Sequence, residues 1–485
     1  MKGASEPISA AAPSATKHRA VSPSPGDAPP VSLFRMSDTL MRSVSGVRGI
    51  VGRDLNPEIV SRYAAAFGQL VLEAGDQHVV LARDSRTSGP MFADAARAGL
   101  RSAGVNVVDC GLIPTPTAQL AVEHHGAGGG IILTASHNPI EWNALKFVGA
   151  DGLFLDAGAA SRLFDLADRG PVTHAEWDGV GAVELDDTAV ARHLDAVRAL
   201  PYVDVERVRA SRFRVALDCV RGAGGTIMPT LLDQLGCEVI GIELETDGRF
   251  TRAPEPVPAN LSALEDAVRR SGAHFGMAVD PDVDRLALVD GQGTAIGEDY
   301  TLAFGVRAVL ERRIGPVVVN LSTSLVVDDV ARQFGIAVTR APVGEANVAR
   351  AMQQAEAVVG GEGNGGVMLP ELHVGRDAPL AAALILDLLA RSGASVGELV
   401  DGAPRYVIVK SKVPRGRHLD PVYAALAKQA HGATLDRQDG LRVAFPDRWL
   451  HVRPSGTEPI VRLIAEAPSE DAAHQLIADA AAHFA

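Results

Sequence analysis

Residues 56–82, NPEIVSRYAAAFGQLVLEAGDQHVVLA, combine a helix pattern with a strand pattern. Asn56 and Pro57 are residue types that begin helices, and apolar residues then recur at helical spacing as far as Leu70. The apolar run HVVLA that follows is typical of a strand buried on both faces. A second helix and strand pattern, FADAARAGLRSAG and VNVVDCG, comes next at residues 92–111. This alternation predicts an α/β domain.

The same alternation recurs twice further along the chain. It is found at residues 213–242, with FRVALD, TIMPTLLDQLG and CEVIGI, and at residues 316–361, from PVVVNLST to EAVVGG. From residue 403 the pattern changes to short strands, such as WLHVRP and IVRLIAEA, closed by an Ala-rich helix. We therefore predict three related α/β domains with mixed sheets and a smaller C-terminal α+β domain.

A chain of 485 residues is too long for one core, because single cores stop growing at roughly 250 to 300 residues. The N-terminal segment is rich in Ala, Ser and Pro and has no apolar stretch of the kind found in signal peptides, so we predict that it is disordered. The predicted boundaries give a tail at 1–37, α/β domains at 38–185, 186–291 and 292–402, and the α+β domain at 403–485.

The composition excludes several classes of partner. A net charge of −13 argues against a nucleic-acid surface, which needs clustered Lys and Arg, and no stretch approaches the ~18 apolar residues of a membrane span. Cys110, Cys219 and Cys237 lack the spacing of a zinc site, so we expect free thiols in a reducing compartment. A cytoplasmic protein without a nucleic-acid or membrane partner is predicted.

An acidic loop, VDPDVDRL at residues 279–286, follows an apolar strand pattern. It presents three carboxylates at alternate positions, those of Asp280, Asp282 and Asp284. Such hard oxygen ligands favour Mg²⁺. An EF-hand is excluded because Arg285 stands at its sixth position and Gly291 at its twelfth, whereas a solvated acidic turn remains the alternative. Arg285 also suggests an anionic ligand, since arginine can bind a phosphate in bidentate fashion.

A serine loop, TASHNP at residues 134–139, follows the strand pattern GGGIIL. The GxSxG elbow of α/β-hydrolases is absent, which disfavours acyl chemistry for Ser136. With a carboxylate-bound Mg²⁺ available, this serine is a candidate carrier of a phosphoryl group whose charge the metal, His137 and Lys146 would offset. The alternative is an Asn-Pro turn with a serine cap.

Two further segments indicate a phosphate site and a sugar site. The segment VRPSGTEPIVR at residues 452–462 combines small residues, hydroxyls and flanking arginines, a pattern that suits a phosphate nest, although a plain hairpin turn is the alternative. The segment GGEGNGG at residues 360–366 lacks the ending of a P-loop. Its Glu362 and Asn364 can read sugar hydroxyls, and a glycine-rich linker is the alternative.

Taken in this order, the segments resemble the α-D-phosphohexomutase superfamily from about residue 40 to residue 467. SVSGVRG at 43–49 is similar to the N-terminal loop of that family and ARDSRTSG at 82–89 to its Arg-Asp-Ser-Arg segment. TASHNP, DPDVDR, GGEGNGG and RPSGTEP resemble its phosphoserine, magnesium, sugar-specificity and phosphate-binding loops. The resemblance implies four domains around a central cleft, to which each domain contributes one loop.

The resemblance also implies a mechanism and a role for each candidate residue. Ser136 would be a phosphoserine bridged by Mg²⁺ to the three aspartates of the acidic loop. It would exchange its phosphate with a hexose phosphate through a hexose 1,6-bisphosphate, which also serves as activator, in a monomer or homodimer. Arg48, His137, Lys146 and Arg285 would surround the transferring group, with Lys146 or a neighbour as acid/base. The distal phosphate would be held by Arg453, Ser455, Gly456, Thr457 and Arg462, helped by Arg376.

Departures from the family bear on the substrate. The sugar loop GEGNGG differs from the Glu-Met-Ser, Glu-Glu-Ser and Glu-Gln-Ser versions of many relatives, and Glu345 stands where many carry a histidine. The motif combination most resembles a bacterial subgroup assigned as phosphoglucosamine mutases, with archaeal-type relatives nearby, so interconversion of glucosamine 6-phosphate and glucosamine 1-phosphate is predicted. A phosphomannomutase/phosphoglucomutase is the alternative, and a serine-linked phosphohydrolase a more distant one. A non-catalytic paralogue would predict loss of Ser136 or of the aspartates, and all are present.

Overall fold

The structure, a computed structural model, describes residues 40–168, 173–416, 418–455 and 460–484. The predicted tail at 1–37 lies outside them. The elements of the first domain are β1 (Met41–Ser43), β2 (Gly46–Ile50), α1 (Pro57–Glu73), β3 (His78–Arg83), α2 (Gly89–Ser102), β4 (Asn106–Leu112), α3 (Thr115–His125), β5 (Gly129–Leu133), β6 (Trp142–Gly149), α4 (Ala157–Asp168) and β7 (Val183–Leu185).

Helix α1 begins as the sequence predicts. The side chain of Asn56 accepts the backbone N–H of Ile59 at 3.0 Å, and Pro57 occupies the first turn. A Cβ on Gly99 of α2 would lie 2.2 Å from the carbonyl oxygen of Ser61, so glycine allows the two helices to approach closely. The pair covers one face of the first sheet with a buried apolar cluster that includes Tyr63.

The first sheet has the strand order β1-β2-β6-β5-β3-β4-β7 in the described part of the domain. Its centre is parallel, because β3 pairs in parallel with both β4 and β5, while β6 runs antiparallel to β5. The carboxyl ends of β3, β4 and β5 therefore meet at one edge. The segments that follow these strands carry Asp84, Thr115 and Ser136, which places all three at the same edge.

The second and third domains repeat this plan. The second contains α5 (Ala189–Ala199), α6 (Val205–Ser211), β8 (Arg214–Asp218), α7 (Met228–Gln234), β9 (Glu238–Ile242), α8 (Ser262–Ser271), β10 (Phe275–Val279) and β11 (Leu286–Val289). The third contains α9 (Asp299–Leu310), β12 (Val317–Asn320), α10 (Leu325–Gln333), β13 (Val338–Ala341), α11 (Glu345–Gln354), β14 (Val359–Glu362), β15 (Gly366–Met368), α12 (Ala378–Ser392) and α13 (Val396–Asp401). Short 3₁₀ turns lie at Ala223–Thr226 and Pro258–Asn260.

The strand orders β9-β8-β10-β11 and β13-β12-β14-β15 match the β4-β3-β5-β6 segment of the first sheet. In each case three strands are parallel and the fourth is antiparallel. The prediction of three related α/β domains with mixed sheets is thus confirmed. The loops that follow β5, β10 and β14 hold the same position in this shared plan.

The fourth domain contains β16 (Val407–Pro414), α14 (Asp420–Gln429), β17 (Thr434–Asp436), β18 (Leu441–Ala444), β19 (Trp449–Pro454), β20 (Ile460–Ala467) and α15 (Glu470–Ala481), with a final 3₁₀ turn at Ala482–Phe484. Its sheet is antiparallel in the order β16-β20-β19-β18-β17. An apolar cluster that includes Leu463 and Ile477 lies between this sheet and the helices. The predicted C-terminal α+β fold is confirmed.

Two other expectations concern the chain as a whole. The three cysteines are free and buried in the structure, which agrees with the predicted free thiols. Among the described helices, each is too short or too polar to cross a membrane.

Candidate active site

A cavity of about 440 Å³ is lined by residues of all four domains. It brings together most of the residues that the sequence singles out. These are Arg48, Ser136, His137, Lys146, Arg285, Glu362, Asn364, Arg376, Arg453 and Arg462. Ser455 is buried at the end of β19, where its N–H donates to the carbonyl oxygen of Ile460 at 2.9 Å. Gly456 and Thr457 lie outside the described residues.

The serine loop leaves β5 in a strained conformation. Ser136 has a φ of 46°, in the left-handed region that non-glycine residues rarely adopt. The hydroxyl of Thr134 accepts the N–H of Ser136 at 2.9 Å and donates to Asp84 at 2.7 Å. These bonds hold the serine at the start of the loop, where it is only 3% exposed.

Arg86 holds the rest of the loop. Its guanidinium donates to the carbonyl oxygens of Ser136 (2.6 Å), Asn138 (2.7 Å), Pro139 (2.7 Å) and Trp142 (2.9 Å). Its Nε donates to Asp84 at 3.1 Å. Arg86 is fully buried, so these bonds satisfy both the charge and the carbonyls of a loop that has no regular structure. Arg86 lies in the ARDSRTSG segment, and no role was predicted for it from the sequence.

The acidic loop of the second domain meets the serine directly. The hydroxyl of Ser136 donates to Oδ2 of Asp280 at 3.0 Å, and Nδ1 of His137 lies 3.4 Å from the same hydroxyl. Oδ1 of Asp280 accepts the N–H groups of Asp284 (3.1 Å) and Arg285 (3.3 Å), which folds the loop around this carboxylate. The serine loop and the acidic loop therefore form one site across two domains.

Each of the other two aspartates has one oxygen occupied and one open. Oδ2 of Asp282 accepts from Nζ of Lys146 at 2.7 Å and from the hydroxyl of Thr115 at 2.7 Å, and Oδ2 of Asp284 accepts from Arg376. Oδ1 of Asp282 and Oδ1 of Asp284 are buried and accept no hydrogen bond from the described residues, and Oδ1 of Asp284 lies 3.5 Å from Nε of Arg285. Ligand oxygens of the three aspartates lie within 4.8 Å of one another. Open, buried carboxylate oxygens in this arrangement fit a Mg²⁺ ion.

The charges of the acidic loop also favour a cation at this position. Burial, together with Asp284 and Asp282, raises the pKa of Asp280 well above its usual range. Burial acts in the same direction on Asp282, but Lys146 and Thr115 outweigh it and lower the pKa of this carboxyl. A cation among the three would relieve their mutual repulsion.

The cavity wall next to the serine is cationic. Arg285, followed by burial and by Arg48, lowers the pKa of His137 well below its usual value, so the ring is neutral at pH 7. Burial lowers the pKa of Arg48 to about 10, and its guanidinium bonds the side chain of Asn138. The guanidinium of Arg285 donates to Glu255 at 3.1 Å, and its Nε makes no hydrogen bond within the described chain but lies 3.5 Å from Oδ1 of Asp284. This wall can receive a phosphoryl group carried by Ser136.

Arg376 lines the cavity, and its role in helping to hold the distal phosphate stays a prediction. Its guanidinium lies among three carboxylates, which the sequence did not predict. Its Nε donates to Glu345 at 3.0 Å, Nη1 to Glu362 at 3.0 Å and Nη2 to Asp284. These carboxylates, together with burial, account for this placement, since a buried carboxylate needs a nearby cation. Arg376 thus connects the acidic loop with the sugar loop.

The sugar loop presents Glu362 at the end of β14. One carboxylate oxygen accepts from the side chain of Asn320 at 2.9 Å and from the N–H of Gly344 at 3.0 Å. Burial opposes ionisation of Glu362, but Arg376 and these donors outweigh it and lower its pKa. A Cβ on Gly363 would lie 2.1 Å from Oδ1 of Asp299, so the loop requires glycine there. The tightly packed loop fixes the orientation of the carboxylate that faces the cavity.

The fourth domain places cations in one row of its sheet. Arg462 of β20 lies directly opposite both Lys412 of β16 and Arg453 of β19. Each of these directly opposite pairs places two cationic side chains on the same face of the sheet. A carboxylate oxygen of Asp439 accepts a hydrogen bond from Nε of Arg453 at 2.7 Å. Arg453 and Arg462 line the cavity. Lys410 also lines it, although no role was predicted for this residue.

The sequence did not predict some residues of the site. Thr115, Asn320 and Lys410 contact the acidic loop, the sugar loop or the cavity without a predicted role, and Glu345, which lines the cavity, was noted only as a departure from the family. Thr115 follows β4 at the carboxyl edge of the sheet, where ligands of α/β folds collect, and this position could have identified it. Asn320 and Lys410 reach the site through contacts between distant parts of the chain, which no local sequence pattern predicts.

Family models match nearly the whole described chain. Those for "Phosphoglucomutase/phosphomannomutase, alpha/beta/alpha domain" I, II and III match residues 40–170, 191–293 and 297–406. The model for the C-terminal domain of the same family matches residues 408–483.

Curated relatives match over most of their length. A phosphoglucomutase/phosphomannomutase of Thermococcus kodakarensis is 38% identical over 89% of this chain and 95% of its own. A probable phosphoglucosamine mutase of Methanopyrus kandleri is 36% identical over the same shares, 89% and 95%. A phosphoglucosamine/phosphogalactosamine mutase of Sulfurisphaera tokodaii is 31% identical over 89% and 96%.

Solved structures agree on the fold. A phosphoglucomutase/phosphomannomutase family protein from Burkholderia thailandensis has a TM-score of 0.77 at 28% identity and covers 92% of this chain and 98% of its own. A putative phosphomannomutase from Thermus thermophilus has a TM-score of 0.78 at 27% identity, with shares of 92% and 99%.

Proposed function

Because the chain belongs to the phosphoglucomutase/phosphomannomutase family, we propose that it interconverts glucosamine 6-phosphate and glucosamine 1-phosphate. Ser136 would carry the phosphoryl group that is exchanged. The observation that carries this proposal is the contact between Ser136 and Asp280 in a cavity that has cations of the fourth domain on another wall. One cavity with two anion-binding walls suits a sugar bisphosphate that turns over between two transfers.

Asp280, Asp282 and Asp284, with the phosphate on Ser136, would hold the Mg²⁺. The ion would neutralise charge on the phosphoryl group during transfer. These residues fit it because two of their oxygens are buried and open.

In the transfer, the bond from phosphorus to Oγ of Ser136 breaks and a bond to a sugar hydroxyl oxygen forms. Arg48 and Arg285 stabilise the charge on the moving group, since both line the cavity beside the serine. The ammonium of Lys146 gives a proton to the serine oxygen as its bond to phosphorus breaks, and the resulting amine takes up the proton that the sugar hydroxyl loses. Asp282 orients this ammonium.

The distal phosphate would bind the row formed by Arg453 and Arg462, with Ser455, Gly456 and Thr457 of the same segment. The sugar ring would face Glu362 and Asn364 of the third domain. In this arrangement the two phosphates of the bisphosphate can exchange places while the sugar ring continues to face Glu362 and Asn364.

The part of the cavity wall that the third domain supplies favours an amino sugar. Asp299, Glu345 and Glu362 line the cavity from the third domain, and Arg376 is shared by the last two of them. Burial raises the pKa of Asp299 and of Glu345, so Glu362, whose pKa is lowered, is the carboxylate of this wall that would attract an ammonium group on the ring, whereas glucose and mannose phosphates offer neutral hydroxyls there. Archaeal relatives described as phosphoglucosamine mutases at 33–36% identity support the same choice.

A phosphoglucomutase/phosphomannomutase is the second candidate, because the Thermococcus relative with that description is 38% identical. Rates with glucosamine 6-phosphate, glucose 1-phosphate and mannose 1-phosphate, followed by phosphorus NMR with Mg²⁺ and a trace of hexose 1,6-bisphosphate, separate the two. We expect the highest kcat/KM for the amino sugar and no turnover by Ser136→Ala. A higher kcat/KM for glucose or mannose phosphate would assign the second candidate instead.

A further inference from the structure

Thr115 joins the first domain to the acidic loop of the second. It begins α3, directly after the chain leaves β4, and it is fully buried. Its N–H donates to the carbonyl oxygen of Asp282 at 2.9 Å, and its hydroxyl donates to Oδ2 of the same residue at 2.7 Å. One threonine therefore fixes both the backbone and the side chain of one aspartate.

The two bonds decide which carboxylate oxygen of Asp282 stays open. Oδ2 receives the hydroxyl of Thr115 and the ammonium of Lys146, each at 2.7 Å, and so uses both of its lone pairs. Oδ1 is buried and receives no hydrogen bond from the described residues. The carboxylate is thereby held with one defined oxygen available.

We propose that Thr115 is a positioning residue for the divalent cation of this site. Its hydroxyl orients Asp282 so that Oδ1 faces the cation, and this inference rests on the metal site of the proposed function. Groups that orient ligands in this way commonly change metal affinity by about 10-fold to 100-fold when they are removed. A threonine suits the task because its branched side chain has few rotamers.

The alternative is that Thr115 only holds two domains together. Thr117, two residues further along α3, provides the comparison. It is equally buried and its hydroxyl also reaches the second domain, where it lies 2.8 Å from Nδ1 of His193. Since His193 is bonded to Asp377 rather than to the acidic loop, loss of this contact should leave the cation site intact.

The test is a titration of the full-length protein with Mn²⁺, in which free Mn²⁺ is measured by electron paramagnetic resonance. We expect Thr115→Val to weaken Mn²⁺ binding at least about tenfold. Thr115→Ser, which keeps the hydroxyl, and Thr117→Val should bind like the wild type. Thermal unfolding without Mn²⁺ establishes that the variants are folded.

Equal affinity of Thr115→Val and the wild type would overturn the inference, as would an equal loss in Thr117→Val. Asp282→Asn separates this failure from that of the proposed function. If Asp282→Asn also binds Mn²⁺ like the wild type, the acidic loop is not the cation site, and both the metal assignment and the role of Thr115 are wrong.

Discussion

Arg86 shows how one residue can set up a reactive loop. Four carbonyl oxygens around Ser136 accept from the guanidinium of Arg86, which reaches all of them from one plane. The strained φ of Ser136 persists because these bonds, with those of Thr134, determine the loop from both sides. The position of the reactive hydroxyl thus depends on a residue that does not line the cavity.

We predict that Arg86→Lys lowers the free energy of unfolding by about 2 to 4 kcal/mol, because a lysine cannot bond the four carbonyls and also pair with the fully buried Asp84. It should also lower kcat. Urea unfolding and steady-state kinetics measure the two effects. Arg101→Lys is the control, since the Nε of Arg101 donates to the carbonyl oxygen of Gly181. A loss for Arg86→Lys no greater than that of the control would show that the loop does not need the guanidinium.

At the scale of the element, the cation row of the fourth domain is the clearest functional feature. Three strands place Lys412, Arg462 and Arg453 opposite one another, and Arg453 is paired with Asp439. Arg453 and Arg462 line the cavity, so this edge of the sheet is the proposed site of the distal phosphate.

We predict that Arg462→Gln raises KM for the sugar phosphate about tenfold or more with a smaller change in kcat, because it removes a charged contact to the distal phosphate rather than a group at the serine. Initial rates over a range of substrate concentration test this. Arg448→Gln is the control, since Arg448 pairs with Asp447 away from the row. An unchanged KM for Arg462→Gln would exclude the row as the distal phosphate site.

His451 connects the same sheet with the third domain. Its Nε2 donates to the carbonyl oxygen of Asp439 at 2.7 Å, which leaves Nδ1 to accept from the hydroxyl of Ser322 at 2.8 Å. Burial lowers the pKa of His451 to about 4. The unfolded chain therefore binds a proton between about pH 6.5 and pH 4 that the folded protein does not bind.

The stability that His451 contributes should be fully present above pH 6.5 and should fall as the pH decreases toward 4. Between pH 7 and pH 5 the loss should be about 2 kcal/mol of the free energy of unfolding. Urea unfolding across this range measures it, with His451→Gln expected to show a shallower pH dependence. The exposed His474→Gln should keep the wild-type dependence. Identical slopes for the wild type and His451→Gln would contradict the buried neutral ring.

For the whole molecule, the sequence predicts the architecture because the helix and strand patterns are regular and three domains repeat one plan. It also predicts Ser136, the three aspartates and Glu362, since each lies in a loop next to a strand and has a distinctive neighbourhood. Contacts between domains are not predictable in this way. The placement of Arg376 and Thr115 depends on loops brought together from distant parts of the chain, and the pattern around each residue gives no sign of its partners.

The account rests on transfer of the phosphoryl group from Ser136 to the sugar. The most direct test is a single-turnover chase, in which enzyme labelled with ³²P at Ser136 is mixed with Mg²⁺ and glucosamine 6-phosphate and the labelled products are separated. We predict that the label moves to a glucosamine bisphosphate within one turnover and that Ser136→Ala takes up no label. Label released only as inorganic phosphate would contradict the mutase and indicate a phosphohydrolase.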